Sequence, residues 1–154
     1  AWTSEEIDAL EAYAGGGGLL ILTNSRHRLK YGNRILDPNE DWAAANALAE
    51  RFGATYQDGE IEATQALIVE EHPLVEDVDA LEIGEGNAMP IHLAEGEGLV
   101  LARAGKEPVA VLLDYGPDGG QVLILADVGV LTAGWSEPLN LPFWRSLARY
   151  ARSR

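Results

Sequence analysis

Asn24 and Ser25 directly follow the apolar run LLILT (19–23), a position where many α/β enzymes carry their nucleophile. A serine there needs a base and a tight turn. The hydrolase elbow G-x-S-x-G has glycines because the sharp turn leaves no room for side chains beside the nucleophile. This chain offers TNSRH, with no glycine on either side. His27, His72 and His92 are the three histidines available as base. His27 would have to fold back onto Ser25, His72 precedes Pro73, and His92 falls in an expected strand. These residue types point instead to Asn24 and Ser25 satisfying backbone groups in a loop. The chain has no cysteine, which excludes thiolate nucleophiles, disulfides and thiolate metal sites.

A second group follows the run VLILAD. Asp127 ends it, and Glu137 and Asn140 lie just beyond. With Asn24 and Ser25 they can form one rim at the ends of neighbouring strands. A carboxylate there can bind a sugar hydroxyl, act as acid or base, or cap the following turn. A third group is basic. Arg26, Arg28, Lys30 and Arg34 crowd the segment 24–40, and they are four of only 11 basic residues. Such a loop suits a small anion through bidentate arginine contacts, or internal pairing with the chain's own acids.

Other patterns lead nowhere. DPNED (37–41) opens like a calcium loop, but Trp42 and Leu48 stand where glycine and glutamate are required. Gly15–Gly18 precedes its strand and lacks G-K-[ST], so it ends a helix and does not cradle phosphate. No spacing of histidines and carboxylates implies a metal, and no cofactor is indicated.

The elements that must position these residues can be read in turn. Thr3 and Glu6 form a capping box, with Trp2 and Ile7 as a hydrophobic staple, and Ile7, Leu10 and Ala14 continue a helical stripe. LLILT is uncharged, as in a strand covered on both faces. After the loop, Asp41 is the expected cap of a helix whose buried face is Ala45, Leu48, Ala49 and Phe52, closed by Gly53. Short strands separated by Gly, Pro and Asp turns follow, with VAVLLDYGPDGGQVLILAD reading as a hairpin. The last helix has Asn140 as cap, Pro142 in its first turn, and Phe143, Trp144, Leu147, Ala148 and Ala151 as the buried face. Arg145, Arg149, Arg152 and Arg154 cluster towards its negative end.

The 154 residues suit one domain with a real core. The net charge is −14, from 25 acidic and 11 basic residues, which argues against nucleic acid and anionic membranes as partners. No apolar run is long enough to cross a bilayer. The absence of cysteine suits an extracytoplasmic compartment as well as a cytoplasmic one, with a slight leaning to the former.

The segments EIDALEAYAGGGGLLILT, NALAERFGATY, HPLVEDVDAL, EPVAVLLDYGPDGGQVLILAD and NLPFWRSLARYA occur in an order that resembles the class I glutamine amidotransferase-like superfamily. The likeness is to its non-catalytic branch, bacterial domains of unknown function near the trehalose-utilisation-protein-like group. It implies a three-layer α/β/α, flavodoxin-like fold with a mostly parallel central sheet and an antiparallel hairpin region. It also implies a single domain over 1–154 that lacks its N-terminal strand–helix units. The resemblance puts Asn24 and Ser25 where catalytic relatives hold cysteine, and GWSEPLNLPFW has no histidine, so glutamine hydrolysis is excluded. The expected function is a non-enzymatic binding or assembly module of a larger bacterial protein. Its partner would be another protein, other parts of the same polypeptide, or a second copy. The alternatives are a hydrolase of a small polar or carbohydrate substrate and a small-anion binder using the loop 24–40.

Overall fold

The computed structural model describes residues 2–24, 30–31, 34–35, 38–84, 86–132 and 140–153. Thr3 and Glu6 close the expected capping box. The Thr3 hydroxyl accepts from the Glu6 amide at 3.3 Å, and Glu6 Oε2 accepts from the Thr3 amide at 2.8 Å. They start α1 (Ser4–Gly15). Trp2, the expected staple, is 45% exposed. Gly17 turns the chain out of the helix at φ +101°, a conformation other residues rarely hold. The strand β1 (Leu19–Thr23) follows.

The expected long loop contains a small hairpin, β2 (Lys30–Tyr31) with β3 (Arg34–Ile35). The next helix, α2 (Pro38–Ala49), begins three residues before the expected cap, so Asp41 lies within it. Proline fits the first turn of a helix because its missing N–H is not needed there. Leu48, Ala49 and Phe52 are buried as the spacing requires. Gly53 closes the segment in the left-handed conformation.

The remaining strands are β4 (Ala54–Tyr56), β5 (Gln65–Ile68), β6 (Ala80–Glu82), β7 (Ile91–Leu93), β8 (Leu99–Ala104), β9 (Glu107–Asp114) and β10 (Gln121–Leu125). The chain ends in α3 (Leu141–Ser153). Six strands form the main sheet in the order β1-β10-β9-β8-β5-β6, and β4 pairs with β7 separately. Its core is β9 and β10, with Val109–Leu113 and Val122–Leu125 at most 4% exposed.

This architecture corrects the expected three-layer fold with a mostly parallel sheet. Within the main sheet only β1 and β10 run parallel, and every other pairing is antiparallel. The physical reason lies in the connections. A parallel pair needs a crossover of a dozen or more residues, usually a helix, whereas antiparallel strands need only a turn. No α-helix is found among the described residues between Ala54 and Asn140, and tight turns join β8 to β9 and β9 to β10. A register shift near Leu101 bends β8 against β9.

His72 opens a 3₁₀ turn, Pro73–Val75, on which α3 packs. Its Nδ1 accepts from the Leu74 amide at 3.1 Å, and its ring meets Tyr150 edge-on at 5.4 Å. Burial pushes its pKa below the usual 6.5, with Asp114 opposing weakly. The folded state therefore holds the neutral ring better than the unfolded chain does. The corresponding stability is complete above pH 6.5 and is lost as pH falls through the lowered folded value. We expect urea midpoints to decline over that interval, and His72→Asn, which keeps an acceptor at the cap, to flatten the decline. An unchanged slope in the variant refutes this assignment.

Candidate functional site

Three of the five residues expected on one rim are described, and they do gather at one end of the sheet. Asn24 follows β1, and its carbonyl accepts from the Val128 amide at 3.1 Å. Its Nδ2 donates to Met89 Sδ at 3.6 Å. Asp127 follows β10 and is 2% exposed. Its Oδ2 accepts from the Gly84 amide at 2.6 Å and its Oδ1 from the Gly129 amide at 2.8 Å. A Cβ on Gly129 would stand 2.9 Å from that carboxylate, so glycine is what lets the amide come so close.

Asn140 is 4% exposed, and its side chain does not cap α3. It reaches the edge strand β6. Oδ1 accepts from the Glu82 amide at 2.8 Å, and Nδ2 donates to the Glu82 carbonyl at 2.9 Å. Asn46 on α2 treats Tyr56 of β4 the same way, at 2.7 and 2.9 Å. Each of these asparagines substitutes for a missing strand, satisfying one outward-facing N–H and C=O. The rim is thus held together by side chains bonded to backbone. Ser25 and Glu137 lie outside the described residues, as do Arg26 and Arg28 of the basic group. Lys30 and Arg34 sit on β2 and β3.

The opposite edge of the sheet is built differently. The Gly18 carbonyl accepts from the Gln121 amide, which sets the phase of the parallel ladder. Leu20 and Leu22 then bond towards β10, and Leu19, Ile21 and Thr23 turn their N–H and C=O away from it. Among the described residues nothing pairs with those outward groups. All five residues of β1 are half-buried, although β10 beside it is buried throughout. Along this edge runs a groove of about 530 Å³, lined chiefly by Tyr13, Leu19, Ile21, Leu131, Trp144 and Leu147. Ala148 and Ala151 of α3, expected in the buried face, also line the groove and are exposed. Phe143 is buried as expected, and Trp144 and Leu147 only partly so. Trp144 is held in place because its Nε1 donates to the Val130 carbonyl at 2.7 Å. The continuous apolar run is a signal that β1 is covered on both faces, but it says nothing about whether both edges are paired.

Thr23 ends this strand with its hydroxyl buried and, among the described residues, without a hydrogen-bond partner. An unmet buried hydroxyl costs about 1–3 kcal/mol. Thr23→Val should therefore raise unfolding stability by about 1 kcal/mol in denaturant titrations. A loss of stability would mean that the hydroxyl has a partner after all.

Two chemical limits also belong to the described residues. No group of three or more His, Asp or Glu is placed to hold a metal, and no helix is long and apolar enough to cross a membrane.

No family model matches the chain, and no curated protein matches it. Solved structures do. The mmIFT52 N-terminal domain superposes with a TM-score of 0.66 at 13% identity, over 99% of this chain and 73% of that one. Cytoplasmic Protein STM3548 from Salmonella typhimurium gives 0.61 at 18% identity, over 97% and 61%. Cytoplasmic Protein STM1381 from Salmonella typhimurium LT2 gives 0.58 at 18% identity, over 96% and 58%. The chain thus spans about three fifths of the two Salmonella proteins. These neighbours, with the mainly antiparallel sheet, overturn the resemblance to the glutamine amidotransferase-like superfamily. At such identities the likeness speaks for fold alone: the chain has the mixed, mainly antiparallel α/β fold that it shares with the mmIFT52 N-terminal domain and the two Salmonella proteins.

Proposed function

We propose that this chain is a non-enzymatic assembly module whose main sheet is extended by one further strand laid along β1. The observation that carries this reading is the contrast between the sheet's two edges. β6 is three residues long, ends in a charged residue, and has the outward N–H and C=O of Glu82 taken by Asn140. β1 is five residues long and apolar but for Thr23, and pairs with β10 in unbroken register. Proteins that must keep an edge solitary use short strands, charges, prolines or bulges. β1 has none of these, and its composition is that of an interior strand. A row of N–H and C=O groups unpaired among the described residues, beside an apolar groove, supports strand addition, in which backbone bonds supply affinity and alternate side chains supply specificity. The acid–base alternative gains no support from Asp127, since both of its oxygens accept backbone N–H groups.

Hydrogen exchange tests the reading. The amides of Leu19, Ile21 and Thr23 should exchange far faster than those of Leu20 and Leu22 on the same strand. Equal protection of all five would show that the edge is already occupied within this chain, and the proposal would fall.

A further inference from the structure

We infer that the strand received by β1 comes from a partner protein and carries acidic residues where it passes α3, alternating with apolar ones that enter the groove. This rests on the strand-addition reading and adds the partner's chemistry. The apolar half follows from the groove. Leu19, Ile21 and Leu147 line it, Trp144 is fixed by its bond to the Val130 carbonyl, and α3 contributes the small Ala148 and Ala151. Side chains on one face of an added strand, every second residue, would fall into that space.

The acidic half follows from charge. α3 contains no acidic residue. Arg145 and Arg152 stand three before and four after Ala148, so they flank the groove wall on neighbouring turns. Both are exposed, and among the described residues neither has an ion-pair partner. Elsewhere Arg103 donates to the Lys106 carbonyl at 2.8 Å, and Arg149 and Arg51 hold ion pairs. Arg149 meets Asp77 at 3.2 Å and Glu76 at 3.8 Å, and Arg51 meets Asp8 at 2.8 Å and Glu11 at 2.7 Å. In a chain with 25 acidic and 11 basic residues, two arginines beside a groove, without an acid among the described residues, suit carboxylates from outside. A second copy fits poorly. Its own β1, LLILT, has no acid to set beside Arg145 and Arg152.

The test uses labelled synthetic strand peptides in which valine alternates with glutamate or with lysine, titrated against the intact chain by fluorescence anisotropy at physiological ionic strength, where the field of the whole chain is screened. The glutamate peptide should bind about tenfold tighter than the lysine peptide. It should also protect the Leu19, Ile21 and Thr23 amides. The double variant Arg145→Glu, Arg152→Glu, at exposed helix positions, should reverse the preference, and Ile21→Lys should abolish binding of both peptides. Equal binding of both peptides overturns the acidic assignment and leaves strand addition standing. Binding of neither, with the edge amides protected in a longer form of the polypeptide, gives the edge to that polypeptide and overturns the partner. Concentration-dependent dimerisation that Ile21→Lys abolishes assigns the edge to a second copy and likewise overturns the partner. Binding of neither in any of these settings removes strand addition itself.

Discussion

Asp127→Ala should lower the unfolding free energy by about 3–5 kcal/mol, the sum of two hydrogen bonds to a charged acceptor. For a domain of this size that is a fall in Tm of about 10 °C. The expectation comes from burial and bonding together. The carboxylate is 2% exposed and accepts at 2.6 and 2.8 Å from Gly84 and Gly129. Those amides belong to the segment after β6 and to the 3₁₀ turn after β10, so one side chain ties two parts of the chain together. Truncation would leave both N–H groups, on half-buried glycines, without this acceptor. Asp127→Asn should fall between wild type and alanine, because its amide keeps one acceptor but turns N–H towards a second donor. Thermal and urea unfolding read the effect directly. A stability within about 0.5 kcal/mol of wild type would show that the carboxylate is not structural and would restore it as a candidate acid or base.

Much of what is legible in the chain is local. Thr3 and Glu6 announce α1 because a capping box depends on residues three apart. The hairpin of β9 and β10 is announced by two apolar runs around a Gly/Pro/Asp turn. Strand direction is not legible. LLILT and QVLIL look alike whether their neighbours run parallel or antiparallel, and only the connections decide. The resemblance to a parallel fold therefore fills a gap that composition cannot, and fills it wrongly. The start of α2 is displaced although Pro38 is visible, because Asp41 offers a stronger cap signal nearby. Chain order places Asp127 and Asn24 at one end of the sheet, as the structure does, yet the partners Gly84 and Gly129 come from tertiary packing that no spacing reveals. Asn140 shows the same limit. Its place before a helix suggests a cap, and its contact with Glu82, 58 residues away, overrides that local role.

That contact leads to the second large effect. Asn140→Ala should cost about 2–3 kcal/mol, since it removes a buried side chain's two bonds and leaves the Glu82 N–H and C=O unpaired. It should also leave β6, like β1, with outward groups that nothing among the described residues pairs. Sedimentation velocity should then show association that rises with concentration and that Ala80→Lys on β6 suppresses. Asn46→Ala is the matched control. It breaks the same pair of bonds, to Tyr56, at a strand that α2 already packs against, so it should destabilise comparably without promoting association. If both variants stay monomeric, Asn140 merely anchors α3 to the sheet, and the two edges differ by accident of packing. If only Asn140→Ala associates, the chain actively closes one edge. Among the described residues a buried asparagine closes β6 and nothing pairs with the outer side of β1, and the proposed strand addition rests on that contrast.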